Sequence, residues 1–460
     1  MTAFWRAFLA ASLGLATLTG LLILRGDQSE LRPLETSPGA GDNAASTRPL
    51  ITLRYRGRLD PGSVESHFSL SPPTDGTLEV DANLVRFIPK VSLQPQARYE
   101  VHLAAGVRDQ SGRTAREELV VPFQTRPPRL LVSRPEGEAD PATAAGVRNL
   151  WMVDPDGANS RRVTEEPLGV LFVSVSPDGE RLAYSSPTAG QEDASALWGM
   201  RTDGSDRRQL AGDNRSAIVS HAWSPGGDLI IYERRPLLPG VGPHGRVGPA
   251  RLMGVRPDGT QIGPMYGRNE ETGVLPTFSP DGTRFSFYES GQRALAISNF
   301  TDQVRLIPAF GLDPGSWDPS GGRLVYSDMP SATDASQTIL RVVEAAGGEP
   351  RPLNPFGPRA YAAYSPTWSP DGRFIAFIGR DPAGATGCWL FDLSTQTTRA
   401  VLTDATWTYA PPRFSPDGRY LAVSRLGSGA QARWELWVGP ADGSSLQLSP
   451  FSGLVEAWAP

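Results

Sequence analysis

Apolar residues along this chain come in short runs, some alternating with polar residues and some continuous, separated by turns rich in Pro, Asp, Gly and Ser. That pattern predicts strands rather than helices. Its clearest instance is Pro412-Arg413-Phe414-Ser415-Pro416-Asp417-Gly418-Arg419-Tyr420-Leu421-Ala422-Val423, which reads as strand, tight turn, strand. The turn recurs at Ser176-Pro177-Asp178-Gly179, Ser279-Pro280-Asp281-Gly282 and Ser369-Pro370-Asp371-Gly372, with degraded copies at Ser224-Pro225-Gly226-Gly227 and Asp318-Pro319-Ser320-Gly321. Proline sets the second position of a type I turn, aspartate suits the third, and glycine takes the left-handed conformation that closes a bulged hairpin. The residue before each turn is apolar: Val175, Trp223, Phe278, Trp317, Trp368 or Phe414. Large apolar groups on both sides of a tight turn imply hairpins packed on both faces. A spacing of roughly 40 to 55 residues is near the period of four-stranded propeller blades.

Residues 127–460 therefore read as a β-propeller. The segment after Pro127 and Pro128 carries Leu130-Leu131-Val132-Ser133, Asn149-Leu150-Trp151-Met152-Val153 and Arg161-Arg162-Val163-Thr164, but no turn-bearing first strand. The last residues, Leu454-Val455-Glu456-Ala457-Trp458-Ala459-Pro460, look like that missing strand. Pairing the two would close the ring and remove open sheet edges. Six internal copies and one split blade make seven. A six-bladed ring is the alternative and requires the Asp318 copy not to form a blade, although Gly322-Arg323-Leu324-Val325-Tyr326 supplies a strand there.

Three segments precede the propeller. Residues 1–25 hold a nearly unbroken apolar run after Arg6, long enough to span a bilayer as a helix. No cysteine follows and no small-x-small cleavage site stands out, so the segment reads as an uncleaved single-pass membrane anchor, with secretion after signal cleavage as the alternative. Either case places the rest of the chain outside the cytoplasm, in the periplasm or beyond. Residues 26–48, poor in large apolar groups, read as a flexible linker. Residues 49–126 carry short alternating strands such as Ile51-Thr52-Leu53-Arg54-Tyr55 and Leu84-Val85-Arg86-Phe87-Ile88, separated by Asp60-Pro61-Gly62, Asp75-Gly76 and Ser111-Gly112. That spacing is a β-sandwich signature.

Both folded segments resemble known families. Phe68-Ser69-Leu70-Ser71-Pro72, Phe87-Ile88-Pro89 and Gly106-Val107-Arg108-Asp109 resemble the bacterial Ig-like domains of the surface-layer (SbsA-type) family. This resemblance implies a spacer or adhesion module. The repeat Trp368-Ser369-Pro370-Asp371-Gly372 resembles that of the TolB-type propeller, which implies an exported protein-binding platform. The chain differs from TolB in having the Ig-like module where TolB has an α/β domain.

Composition narrows the function classes. With 49 Gly, 43 Pro and no helix-period apolar segment beyond the N-terminus, the chain is all-β. A net charge of -5, with 44 basic residues scattered among 49 acidic ones, gives no footprint for nucleic acid. The single cysteine, Cys388, excludes an internal disulfide and a Cys-based zinc site. The four histidines, His67, His102, His221 and His244, show no metal-ligand spacing, and no Gly-x-Ser-x-Gly elbow occurs. Asp154-Pro155-Asp156-Gly157 lacks the acidic positions of a calcium loop and matches hairpin turns at Asp203-Gly204, Asp258-Gly259 and Asp442-Gly443. The sequence implies no cofactor, no metal and no catalytic residue.

Binding candidates come from registering the blades. The first strand of a blade lines the central channel, and its side chains alternate. The residue two before the turn serine, or its equivalent, should face the channel: Ser174, Ala222, Thr277, Ser316, Thr367, Arg413 and Ala457. All are small except Arg413. It either reaches channel water or a nearby acid, or clamps an anion or a C-terminal carboxylate on the axis. Glu456 and His221 are expected close to it. Interblade connections and second-to-third loops share one face, and the longest insertion there supplies Arg234, Arg235, His244 and Arg246 as rim candidates. Trp407 and Tyr409, with Tyr361 and Tyr364, are candidates for stacking on sugars. The leading function is a non-catalytic, membrane-tethered, monomeric binding protein for envelope proteins. The alternative is a cell-wall-binding, carbohydrate-binding or hydrolytic propeller.

Overall fold

The computed structural model describes residues 31–135, 146–238, 246–266, 272–301, 304–329, 337–357, 362–428 and 433–460. These residues form strands almost throughout, with one short helix, Pro61–Glu65. They fall into two units, the first made mainly of residues up to 125 and the second of residues 126–460.

The first unit is a β-sandwich. One sheet runs Glu35–Ser37, Ile51–Arg54, Leu84–Pro89, Gly76–Asp81, and the other Asp42–Ala45, Leu119–Thr125, Arg98–Leu103, Phe68–Ser71. Along Leu84–Pro89, half-buried and buried positions alternate residue by residue, as they must when one face of a strand lies on a core. Ile51, Leu53, Val85, Phe87, Val101, Val121 and Phe123 are all buried.

Two expectations about the N-terminal region are corrected. Part of the expected linker is structured: Glu35–Ser37 pairs with Ile51–Arg54, and Asp42–Ala45 pairs in parallel with Leu119–Thr125. Both are edge strands, held by backbone hydrogen bonds along one side, so they need little apolar surface and leave no mark in the hydrophobic pattern. The single-pass membrane placement is not supported either. Among the described residues, no helix is long and apolar enough to cross a membrane. The apolar run within residues 1–25 lies outside the described residues.

The described residues of the second unit form seven antiparallel sheets, each with four principal strands that follow one another in chain order in all but the first. Each repeated turn builds the same small network. Ser176 Oγ donates to Asp178 Oδ1 at 2.5 Å and accepts from Arg181 N at 2.9 Å, and Gly179 N donates to Ser176 O at 2.8 Å. The degraded copies keep this network by other means. Ser224 Oγ donates to Asp228 Oδ1, 2.9 Å away and two positions later than usual. In the Asp318 copy the roles are exchanged: Asp318 accepts from Arg323 N at 3.0 Å, and Ser320 Oγ donates to it at 2.9 Å. The closing glycine is left-handed in both, with φ of 72° at Gly227 and 69° at Gly321.

The first sheet takes its inner strand from the far end of the sequence. Leu454–Ala459 pairs antiparallel with Arg129–Pro135, placing Val455 opposite Val132 and Trp458 opposite Leu130. Apolar clusters fill the space between successive sheets, and the last sheet packs on the first through Ala422, Leu436 and Val438 against Leu130, Val132 and Trp458. The first strands of neighbouring sheets lie against one another, so they surround a common axis.

Candidate functional site

The site is built on those first strands. Ser174, Ala222, Thr277, Ser316, Thr367 and Ala457 are half-buried, whereas the next residues Trp223, Phe278, Trp317, Trp368 and Trp458 are buried between sheets. Alternation along a strand turns the first group to the axis if the second packs sideways. Several contacts tie one inner strand to the next. Trp317 Nε1 donates to Thr277 O at 3.3 Å, Trp368 N donates to Ser316 Oγ at 3.1 Å, and Trp458 Nε1 donates to Arg413 O at 3.0 Å.

Arg413 is exposed, and its guanidinium makes no hydrogen bond or ion pair with a described residue. Burial nevertheless holds its pKa below the ordinary value, opposed by the charge of Glu456. The side chain is thus reached by solvent while protein atoms crowd around it. Glu456 lies in the β-bulge between Val455 and Ala457 and accepts from Ser133 Oγ at 2.6 Å. It therefore acts on Arg413 through space while bonded elsewhere.

Most of the remaining candidates have partners of their own. His221 is buried; its Nδ1 lies 2.7 Å from Ser174 Oγ, and its ring meets Phe172 edge-on at 5.1 Å. Burial lowers its pKa to about 3, and Nε2 has no hydrogen-bond partner. A histidine that refuses a proton until pH 3 is a poor base toward Ser174 at neutral pH. Arg234 pairs with Asp213 at 2.9 Å. Arg235 pairs with Glu233, which also accepts from Ser220 Oγ at 2.6 Å. The insertion that holds them is a hairpin extension in which Leu237 lies opposite Val247 and Leu238 opposite Arg246. His244 and Tyr361 lie outside the described residues, and Arg246 is described only by its backbone. Trp407 packs against the cluster between the sixth and seventh sheets with the Arg425 guanidinium 4.2 Å from its ring centre, and Tyr409 is buried. They form no open stacking platform.

Sequence reasoning missed two features of the face that carries the interblade connections. The first is a set of β-bulges in the inner strands, at Ile218–His221, Val274–Thr277, Tyr364–Thr367 and Val455–Ala457. Pro276 and Pro366 have no amide hydrogen to give the ladder, and the residues before them, Leu275 and Ser365, take φ of 56° and 52°. That signal was present in the sequence. The second is a cavity of about 280 Å³ lined by Leu168, Pro187, Trp198 and Arg207. Arg207 stacks 3.6 Å from the centre of Trp198 and forks onto Glu166 through Nε and Nη2, at 2.9 and 3.1 Å. Its members come from four separate segments, so no local pattern announces it.

The exposed large apolar side chains of this unit are unevenly distributed. Val147, Leu168, Leu171, Phe172, Val219, Leu238, Val247, Phe310, Leu312 and Tyr364 lie on interblade connections, second-to-third connections or the starts of inner strands. Blade topology puts all of these at one face. Ile262, Phe300 and Leu448 lie toward the other.

Fold and site together define an all-β protein with an Ig-like domain followed by a β-propeller. Residues 27–125 match the bacterial Ig-like domain family. The chain is 40% identical over 60 residues to the Tol-Pal system protein TolB of Alcanivorax borkumensis, covering 13% of this chain and 14% of that one. It is 26% identical over 276 residues to dipeptidyl-peptidase 5 of Porphyromonas endodontalis, covering 54% of this chain and 36% of that one. The matches thus span well under two thirds of either relative. Among solved structures it is similar to TolB from Acinetobacter baumannii, at 15% identity and a TM-score of 0.44, covering 85% of this chain and 83% of that one.

Proposed function

We propose that the second unit is a seven-bladed propeller that serves as a non-catalytic binding platform for a protein partner, with the Ig-like domain as a spacer. The observation that carries this reading is the concentration of exposed apolar side chains on the face of the interblade connections. Loops on the rim of a rigid fold are common recognition surfaces, and apolar side chains exposed there gain from being covered. The low basicity of His221 leaves Ser174 without an effective proton acceptor, which favours binding over hydrolysis. The likeness to TolB, a protein named for the system it belongs to, supports the same reading.

The test is photo-crosslinking in cells. A benzophenone amino acid at Leu312 or Leu171 should yield a discrete protein adduct, and one at Ile262 or Leu448 should not. Adducts from the second pair alone, or from neither pair, would refute the assignment of the face.

A further inference from the structure

We propose that the axial channel receives the carboxylate end of an extended apolar peptide segment, with Arg413 as its counter-charge. This deepens the reading of the propeller as a protein-binding platform and rests on it.

The first support is an unmatched charge. Arg413 is enclosed enough for burial to depress its pKa, yet no described residue bonds its guanidinium. Its counterpart acid, Glu456, is engaged by Ser133. A planar guanidinium without a partner matches a carboxylate two bonds at a time. The nearby negative charge of Glu456 disfavours a dianion such as phosphate and leaves a monoanion as the better fit.

The second support is what shares Arg413's level. Every other residue at its register position is small, so a peptide backbone has room beside it. The hydroxyls of Thr277 and Thr367 at that level have no hydrogen-bond partner among the described residues and can donate to an anion.

The third support is the entrance. Inner strands run from the interblade face toward the repeated turns, and Phe172, Val219, Leu275 and Tyr364 stand at their starts, all at least partly exposed. The bulges at Val219, Leu275 and Ser365 interrupt the ladders at this level. Arg413 lies two or three residues deeper, roughly 7–10 Å at the rise of a strand. The last two or three residues of an extended segment span that depth, with apolar side chains at the mouth and the terminal carboxylate at the guanidinium.

The experiment uses the full chain and fluorescein-labelled decapeptide pools whose last three positions are Leu, Phe, Val or Ile. One pool ends in a free carboxylate and one in an amide, and a third is amidated with Asp at its final position. Anisotropy should show the free-acid pool binding about tenfold or more tightly than the amide pool. Arg413→Met should abolish that preference without changing amide-pool binding, and Arg413→Lys should keep part of it. Equal binding of acid and amide pools, no binding of either, or a preference that survives in Arg413→Met would overturn the proposal. An Asp-amide pool that matches the free acid would overturn the chain-end assignment. If Arg413→Met does not fold, acetate must compete with the free-acid pool on the unaltered protein where acetamide does not, and equal competition overturns the proposal. Loss of the acid preference with crosslinks at Leu312 intact removes the clamp alone; loss of both removes the platform.

Discussion

Replacing Trp458 tests whether the C-terminal strand closes the ring and holds Arg413's strand in place. Trp458 is 6% exposed, packs between the last sheet and the first, and stacks on Tyr420 at 5.8 Å between ring centres. Truncating a buried tryptophan to alanine costs about 3–5 kcal/mol. Its indole also donates to Arg413 O at 3.0 Å, and a lost donor that strands a carbonyl costs about 1–3 kcal/mol. Trp458→Ala should therefore lower propeller stability by about 4–8 kcal/mol, a large share of the roughly 5–15 kcal/mol typical of folded domains. Trp458→Phe keeps the stacking and should cost only about 1–3 kcal/mol, mostly the hydrogen bond. Urea unfolding followed by far-UV circular dichroism gives both values, with the Ig-like domain's transition fitted separately because two units need not unfold together. A loss below about 1 kcal/mol in Trp458→Ala would refute closure through this strand, since no well-packed buried tryptophan is that cheap to remove.

Other consequences are equally specific. Ser286→Ala removes one acceptor of the Trp317 indole and should cost about 1 kcal/mol in the same titration, while Ala183→Ser should offer a partner to the buried, unpaired Trp223 Nε1 and gain a few tenths. His221 takes a proton near pH 6.5 when unfolded but only near pH 3 when folded, so the unfolded state binds the extra proton between those values. Its contribution to stability is complete above pH 6.5 and falls by about 1.4 kcal/mol per pH unit below it. His221→Gln should flatten the pH dependence of the thermal midpoint between pH 6 and 4, and an unchanged slope would show that the imidazole is not buried neutral. Cys388 is fully buried and burial raises its thiol pKa. It should resist alkylation at pH 8 until the protein is unfolded, and labelling at the native rate of a free thiol would contradict the packing.

The parts of the fold that sequence made legible are those in which side chains dictate backbone. Turn chemistry located the first-to-second hairpins, including the two degraded copies, because Asp228 and the exchanged Asp318 and Ser320 rebuild the same hydrogen bonds. The strands within residues 31–48 were not legible, since edge pairing depends on backbone groups that Glu35–Ser37 and Asp42–Ala45 share with any sequence. Arg413 stood out because the repeat gives a ruler against which one large residue is visible. For His221 the same ruler gives the position on the strand, since its pairing opposite Tyr232 continues unbroken from the turn, but not the burial or the contact with Ser174. The Glu166, Trp198 and Arg207 cluster is assembled only by tertiary structure.

Hydrogen–deuterium exchange of the full chain, with and without the protein recovered by crosslinking at Leu312, locates the binding face. Protection is expected on the face of the interblade connections, in segments 167–172, 216–220, 310–314 and 362–366, with the Asp-Gly turns at Asp203, Asp258 and Asp442 unchanged. Protection confined to those turns, or none in the four segments, would contradict that placement.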